Sequence, residues 1–257
     1  MSRILITGST DGLGLMAARL LVEQGHQVLL HARNAARADD ARRALPQAEA
    51  VLVGDLSTLA QMRAVAEQAN RLPVADAVIH NAALGYRESQ RRLTSDGLPE
   101  LFAVNTLAPY VLTSLIARPK HLVYLSSLLH RQAAGTLDDA LWERREWDGA
   151  QAYAETKFHD VLLAFAVARR WPEVQANALE PGWVATRMGG PGATDDLDQA
   201  HRTQAWLAAG VDPATRVTGR YFYHAQQKEA LAAAHDVPLQ DALLALCARL
   251  SGVAFPR

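Results

Sequence analysis

Tyr153 and Lys157 stand four residues apart in the stretch GAQAYAETKFHD, residues 149–160. On a helix that spacing puts both side chains on one face, about one turn from each other. A phenol beside a fixed ammonium is a candidate proton donor, because the cation favours the phenolate and lowers a pKa that is otherwise near ~10. The same two residues would also suit a surface helix with an incidental aromatic. The elements around them must decide.

The chain has 257 residues, is 49% hydrophobic and 21% charged, and carries a net charge of -1. That is the profile of a globular protein with a sizeable core, expected to form a single domain over residues 1–257. Without a basic surplus, neither nucleic acid nor an anionic membrane is expected as a partner. The single cysteine, Cys247, cannot form an internal disulfide, and in DALLALCARL it reads as a small buried hydrophobe. The N-terminus lacks the long apolar core and cleavage site of a signal peptide, and the longest strongly apolar run, 161–168, falls far short of the ~20 residues a membrane span needs. A cytoplasmic location is expected.

Short aliphatic runs at 3–7, 27–31, 50–53, 75–80, 121–126 and 174–179 read as strands covered on both faces. Between them, 13–24, 58–71, 97–116 and 150–171 have helical period, and a further strand near 220–224 precedes a helix over 239–250. Alternation of this kind predicts an α/β, Rossmann-type doubly wound, mostly parallel seven-stranded sheet with helices on both faces. Directly after the first strand, TGSTDGLG carries Gly8, Gly12 and Gly14 into the first helix. Glycines there let the backbone approach a pyrophosphate seated on the helix N-terminus, so a dinucleotide site is expected at Gly8, Ser9, Thr10, Gly12, Leu13 and Gly14.

This spacing resembles the T-G-x-x-x-G-x-G of the short-chain dehydrogenase/reductase family, and the resemblance runs over nearly the whole chain. GDLS places Asp55 and Leu56 where the family contacts adenine. HNAA places Asn81, Ala82 and Ala83 on its N-A-G, with Ala83 in place of the usual glycine. VNTLAP, LSS, YAETK and PGWVAT supply Asn105, Ser127, the Y-x-x-x-K pair, and Pro181, Gly182, Val184 and Thr186. The resemblance implies hydride transfer between a nicotinamide cofactor and a carbonyl or alcohol. Tyr153 would exchange the proton, Ser127 would fix the reacting oxygen, Lys157 would also bond the nicotinamide ribose, and Asn105 would hold a water linking Lys157 to solvent. Ser127 is chosen over Ser126 because the family motif places its serine second. The second strand ends LLHARNAAR with no acid to bind both ribose hydroxyls. Arg33, with Arg37 nearby, resembles the family's arginine for a 2′-phosphate, so NADP(H) is favoured over NAD(H), although a solvated loop arginine would read the same way.

Ser127 and Tyr153 are 26 residues apart, where family members commonly have about a dozen, so an insertion with Trp142 and Trp147 is expected beside the site. It resembles the retinol-dehydrogenase-like branch and bacterial ketoreductases, which suggests a bulky or apolar small-molecule substrate. The tryptophans could equally pack the insertion onto the sheet. WERREW reads as a solvated helical face, His130 as structural or solvent-facing, and the nine histidines show no metal spacing, so no metal is expected. The glycine- and proline-rich stretch 188–198 reads as a mobile lid, and an ordinary surface loop would read the same way. Val161, Leu162, Leu163, Phe165 and Val167 go round their helix, leaving apolar surface for a partner, and family members often pair through this helix and the one before it. A homodimer or homotetramer is therefore expected. A catalytically inactive NAD(P)-binding regulator is the alternative, which the intact Ser, Tyr and Lys disfavour.

Overall fold

The aliphatic runs form strands because their side chains alternate between two cores. In β1 (Arg3–Ile6), Leu5 faces one core while Ile4 and Ile6 face the other. The central strands β4 (Ala77–His80) and β5 (His121–Leu125) repeat the division, with Val78 and Leu122 opposed to Ile79 and Val123. A sheet that is apolar on both faces needs helices on both. In the computed structural model, which describes residues 1–256, one face is covered by α1 (Gly12–Glu23), α2 (Ala35–Ala44) and α8 (Arg202–Ala209), which follows the single turn α7 (Leu197–Ala200). The other is covered by α3 (Leu59–Asn70), α5 (Ala108–Leu115), α6 (Gly149–Arg170) and α9 (Val237–Ser251).

With β2 (Gln27–Ala32), β3 (Ala50–Val53), β6 (Gln175–Glu180), β7 (Tyr221–Tyr223) and β8 (Gln226–Lys228), the sheet runs β3-β2-β1-β4-β5-β6-β7-β8. Strands β1 to β7 are parallel and β8 returns antiparallel to β7. The chain order reverses between β1 and β4, which opens a crevice at their C-terminal ends, the place where such sheets bind ligands.

Four departures from the sequence expectations have physical reasons. The sheet has eight strands: β8, Gln-Gln-Lys, is polar and exposed, and it adds only an edge hairpin to the seven expected. Helix α2 buries only Ala38 and Ala41, so it lacks an apolar stripe, and its start is marked by Asn34 accepting from the Arg37 amide at 2.9 Å. The helix expected over 97–116 begins later, as α4 (Glu100–Phe102), and widens to π geometry at Ala103–Leu107 before α5. The α6 side chains left for a partner are covered by this same chain: Val161, Leu162, Leu163 and Val167 are at most 1% exposed. Helix α9 and the C-terminal segment lie over α6 and α5. Tyr110 Oη donates to the Val253 carbonyl at 2.8 Å, Trp171 Nε1 to that of Pro256 at 3.2 Å, and Leu243, Leu244 and Cys247 fill the space between. The apolar surface of α6 expected for a partner is thereby taken up within the chain.

Candidate active site

The expected cofactor residues gather at the C-terminal ends of β1, β2 and β4. Gly8 has φ +62°, and a Cβ there would lie 2.7 Å from the Ala82 Cα; one on Gly14 would lie 2.6 Å from Asn81 Nδ2. Gly12, φ +52°, opens instead on a side where no atom lies within 4 Å of a Cβ. Thr7 Oγ1 accepts from the amides of Asn81 and Ala82 at 3.0 Å, and Asn81 Nδ2 donates to the carbonyls of Thr7 and Gly8 at 3.0 Å. Ser9 Oγ ties the turn to β2 by accepting from the His31 amide at 2.9 Å. Helix α1 starts after Asp11 without a side-chain cap, so its leading amides and positive dipole end suit a pyrophosphate. The glycine cradle and this uncapped terminus fit a dinucleotide.

His31 was not singled out from the sequence, yet it braces this turn. Its Nδ1 accepts from the Gly8 amide at 3.0 Å, which leaves Nε2–H to donate to the Gly54 carbonyl at 2.9 Å. Burial pushes its pKa below the usual histidine range, so it serves as a neutral imidazole between the glycine turn and the GDLS segment. There Asp55 Oδ1 caps the Ser57 amide at 2.9 Å and the Leu56 side chain is buried. The two arginines differ. Arg37 Nη2 reaches Thr10 Oγ1 at 2.9 Å and Asp11 Oδ2 at 2.6 Å. Arg33, exposed at the end of β2, makes no hydrogen bond or ion pair among the described residues.

At the other side of the crevice, α6 carries Tyr153 and Lys157, capped by Asp148 accepting from the Ala150 and Gln151 amides at 2.9 and 3.0 Å. Gly149 is required where the helix meets the loop after β4: a Cβ would fall 2.0 Å from the Glu88 carbonyl oxygen. Lys157 Nζ lies 5.8 Å from the Tyr153 ring centroid and donates to the Leu125 carbonyl at 2.7 Å and to Asp160 Oδ2 at 2.8 Å. All three side chains are buried. Burial raises the Tyr153 pKa, while Lys157 and a hydrogen bond from Ser127 pull it down and Asp160 pushes it up. The net direction is upward, contrary to the expectation of a lowered phenol, because desolvation outweighs a lysine whose charge a carboxylate offsets.

The adjacent serines separate cleanly. Ser126 Oγ is buried and donates to the Lys157 carbonyl at 2.7 Å, whereas Ser127 begins a 3₁₀ turn, Leu128–Gln132, with its hydroxyl on the Tyr153 side. His130, expected to be structural or solvent-facing, is structural and holds that turn. Its Nε2 accepts from the Leu231 amide at 3.1 Å, so Nδ1–H donates to the Ser127 carbonyl at 2.7 Å, and burial lowers its pKa to about 4. Asn105 lies in the π segment. Its Oδ1 accepts from the Leu84 amide at 2.8 Å, and its Nδ2 donates to the Leu84 carbonyl and Thr156 Oγ1, both at 3.0 Å. The side chain thus pins the loop after β4 to α6, and its amide is spent on those contacts rather than on the expected water.

The insertion packs around Glu155. Trp142 Nε1 and both terminal nitrogens of Arg145 bond this carboxylate at 2.8 to 3.0 Å, and Trp142 and Trp147 meet edge to face at 5.4 Å, against Leu101 and Tyr153. WERREW is therefore not a helical face: Arg145 lies over the Trp142 ring at 3.8 Å. The stretch expected to be a loose lid is tied down in its first residues. Gly182, φ +86°, follows Pro181, and Val184 is buried. Thr186 Oγ1 accepts from the Gly189 amide at 3.2 Å, and the Gly189 carbonyl accepts from Trp183 Nε1 at 3.1 Å and Arg87 Nη2 at 3.3 Å. This brings Met188 Sδ to 3.9 Å from the Tyr153 hydroxyl, with Tyr86 edge-on to the Tyr153 ring.

A glycine cradle at the switch point of a doubly wound sheet fits a nucleotide, and Tyr153 and Lys157 lie buried on α6 with Ser127 half-buried on their side. Comparison with known proteins agrees: the short chain dehydrogenase family matches residues 2–131. An uncharacterized oxidoreductase of Emericella nidulans is 46% identical over 100% of this chain and 99% of its own. A Streptomyces protein named for daunorubicin C-13 ketoreduction is 33% identical over 72% of this chain and 67% of its own. Among solved structures, an uncharacterized protein from Mycobacterium paratuberculosis aligns over 100% of this chain and 96% of that one, with a TM-score of 0.84 at 26% identity. The chain belongs to the short chain dehydrogenase family and is an oxidoreductase acting on CH–OH or carbonyl groups. No helix among the described residues is long and apolar enough to cross a membrane.

Proposed function

We propose that the protein is an NADP(H)-dependent carbonyl reductase that converts an apolar ketone or aldehyde to its alcohol, or runs the reverse reaction, in the cytoplasm. The observation that carries the reading is the Tyr153 hydroxyl: buried, beside Ser127 and Lys157, and donating to the weakly accepting thioether of Met188 at 3.9 Å. A carbonyl oxygen arriving there exchanges a poor acceptor for a good one. The nicotinamide, when bound, supplies or takes the hydride. Ser127 holds the substrate oxygen, and Tyr153 delivers its proton as negative charge gathers on that oxygen. Lys157 steadies the resulting phenolate through the field of its ammonium. Tyr86, Met188 and the indoles of the insertion give the surroundings an apolar, aromatic character that suits a bulky substrate. Arg33, unpartnered beside the glycine turn, supports the preference for a 2′-phosphate.

The test follows NADPH and NADH absorbance against a panel of aromatic ketones, quinones and aldehydes. Tyr153→Phe is expected to lose about a hundredfold or more in turnover with NADPH affinity nearly intact. Arg33→Ala is expected to weaken NADPH while leaving NADH unchanged. Near wild-type turnover in Tyr153→Phe would dismiss the mechanism, and the inactive-regulator alternative would then regain ground.

A further inference from the structure

On α6 the spacing Tyr153, Lys157, Asp160 puts a carboxylate one further turn along the face that carries the tyrosine and the lysine. Asp160 is 2% exposed and its Oδ2 accepts from Lys157 Nζ at 2.8 Å. A buried acid placed against a buried lysine is expensive unless the charges compensate each other, so the contact is a built one. We propose that Asp160 is a positioning residue for the reaction: through its bond to Lys157 it secures the proton shared by the Tyr153–Lys157 pair, and so fixes the pH above which the pair can no longer protonate a nascent alkoxide. This rests on the proposed proton-donor role of Tyr153.

The argument does not require knowing which member of the pair ionises first. Tyr153 and Lys157 lie close enough to titrate as a unit, and the first proton lost belongs to the pair. A neighbouring negative charge makes that loss harder, whether it leaves a phenolate beside the lysine or a neutral amine beside the tyrosine. Burial, working against the pull of Lys157, raises Asp160 to about 7, so it is ionised in the alkaline range in which the pair gives up its proton. The other groups facing this cluster are weaker candidates for the same task. Tyr124 of β5 faces Asp160, and Tyr86 of the loop after β4 faces Tyr153, both as phenols. Tyr221 of β7 couples to Tyr153, but Glu180 and Arg131 behind it are of opposite sign. His159 turns away to Thr106 at 3.1 Å, and Cys247 of α9 is a buried thiol.

The test uses the full chain without cofactor or substrate, comparing wild type with the near-isosteric Asp160→Asn. Phenolate absorbance, taken as a difference from Tyr153→Phe, and the NMR shift of the Lys157 Cε are followed against pH. Whichever titrates first in each protein is expected to do so at lower pH in Asp160→Asn, by about one unit or more. The alkaline limb of kcat/KM for reduction should move the same way. Superimposable titrations would overturn the proposal. Should Asp160→Asn fail to fold, the carboxyl carbon of Asp160 in the wild-type protein decides instead. An Asp160 that stays protonated through the alkaline limb overturns the proposal; one already ionised, whose signal moves again as the pair titrates, supports it. Because the titrations need no turnover, a shifted titration in a chain that reduces nothing would sink the reductase reading, and with it the role in the reaction, while leaving the hold of Asp160 on the pair's proton standing.

Discussion

Glu155→Ala should loosen the insertion from α6, and the contacts set how much that costs. Glu155 is 6% exposed and accepts from Arg145 Nη1 and Nη2 at 2.8 and 2.9 Å and from Trp142 Nε1 at 3.0 Å. The Arg145 side chain is 39% exposed, so its charge can turn to water, and the ion pair is worth at most about 1 kcal/mol after screening. Trp142 has no such escape: it is 6% exposed, and its N–H would be left buried without an acceptor, a loss of about 1–3 kcal/mol. Together these give about 1–4 kcal/mol. At a melting entropy of roughly 0.5 kcal/mol/K for a chain of this length, the midpoint falls by about 2–8 °C. Glu155→Gln keeps an acceptor for the indole and loses only the ion pair, a drop of about 2 °C or less. Scanning calorimetry on both variants separates the contributions. Equal losses would show that the ion pair, not the indole bond, anchors the insertion, and the reasoning from exposure would be wrong.

Gly8→Ala combines a φ of +62° with a Cβ 2.7 Å from the Ala82 Cα, so NADPH affinity measured by fluorescence should weaken about tenfold or more; unchanged binding would remove the glycine turn from the cofactor site. His159 is held neutral by burial, its pKa lowered to about 3. Folded below unfolded means its contribution is complete above pH ~6.5 and declines as pH falls toward the folded value, by up to about 1.4 kcal/mol per unit. His80 and His130 act in the same sense, while Asp160 and Glu180, raised to about 7, act oppositely, losing stability as pH rises. His159→Asn should therefore flatten the fall in urea midpoint between pH 6.5 and 5 by about one histidine's share, and an unchanged slope counts against its neutrality. With α6 covered by α9, light scattering at micromolar concentration should give the mass of one chain, and a dimer would mean that another face pairs.

The alternation of strands and helices, the glycine turn and the Tyr-Lys spacing were legible because each is written in local pattern: aliphatic runs, a strand-to-helix turn, an i to i+4 interval. What was missed or left unplaced depends on partners distant in sequence. His31 matters because Gly54 and Gly8 meet its two nitrogens, and His130 because Leu231 does, 101 residues away. Asp160 could have been found, since it continues the Tyr153 and Lys157 interval by one more turn. The direction of the Tyr153 shift could not be, because burial of the phenol is a property of the assembled fold. Helix α2 lacks apolar periodicity, and the cover of α6 by α9 joins residues some eighty positions apart; neither leaves a trace in any single window.

The π turn at Ala103–Leu107, where the Ala108 amide bonds the Ala103 carbonyl, has a consequence for what this chain can become. In an α-helical turn the Pro109 ring would press on the carbonyl of Asn105, and the wider pitch relieves it. One residue extra in a turn puts the rod after it out of phase with the rod before it by roughly 100°. Upstream, that phase turns Leu101 toward Trp142 and Tyr153; downstream, another phase turns Val111 and Leu112 onto the sheet. Asn105 sits at the joint between the two frames. Individual side chains there can be exchanged at modest loss, but the count of residues cannot: dropping one would bring the halves into step and swing one of the two apolar faces into water. In this helix the number of residues matters more to the packing than the identity of any one of them at the joint.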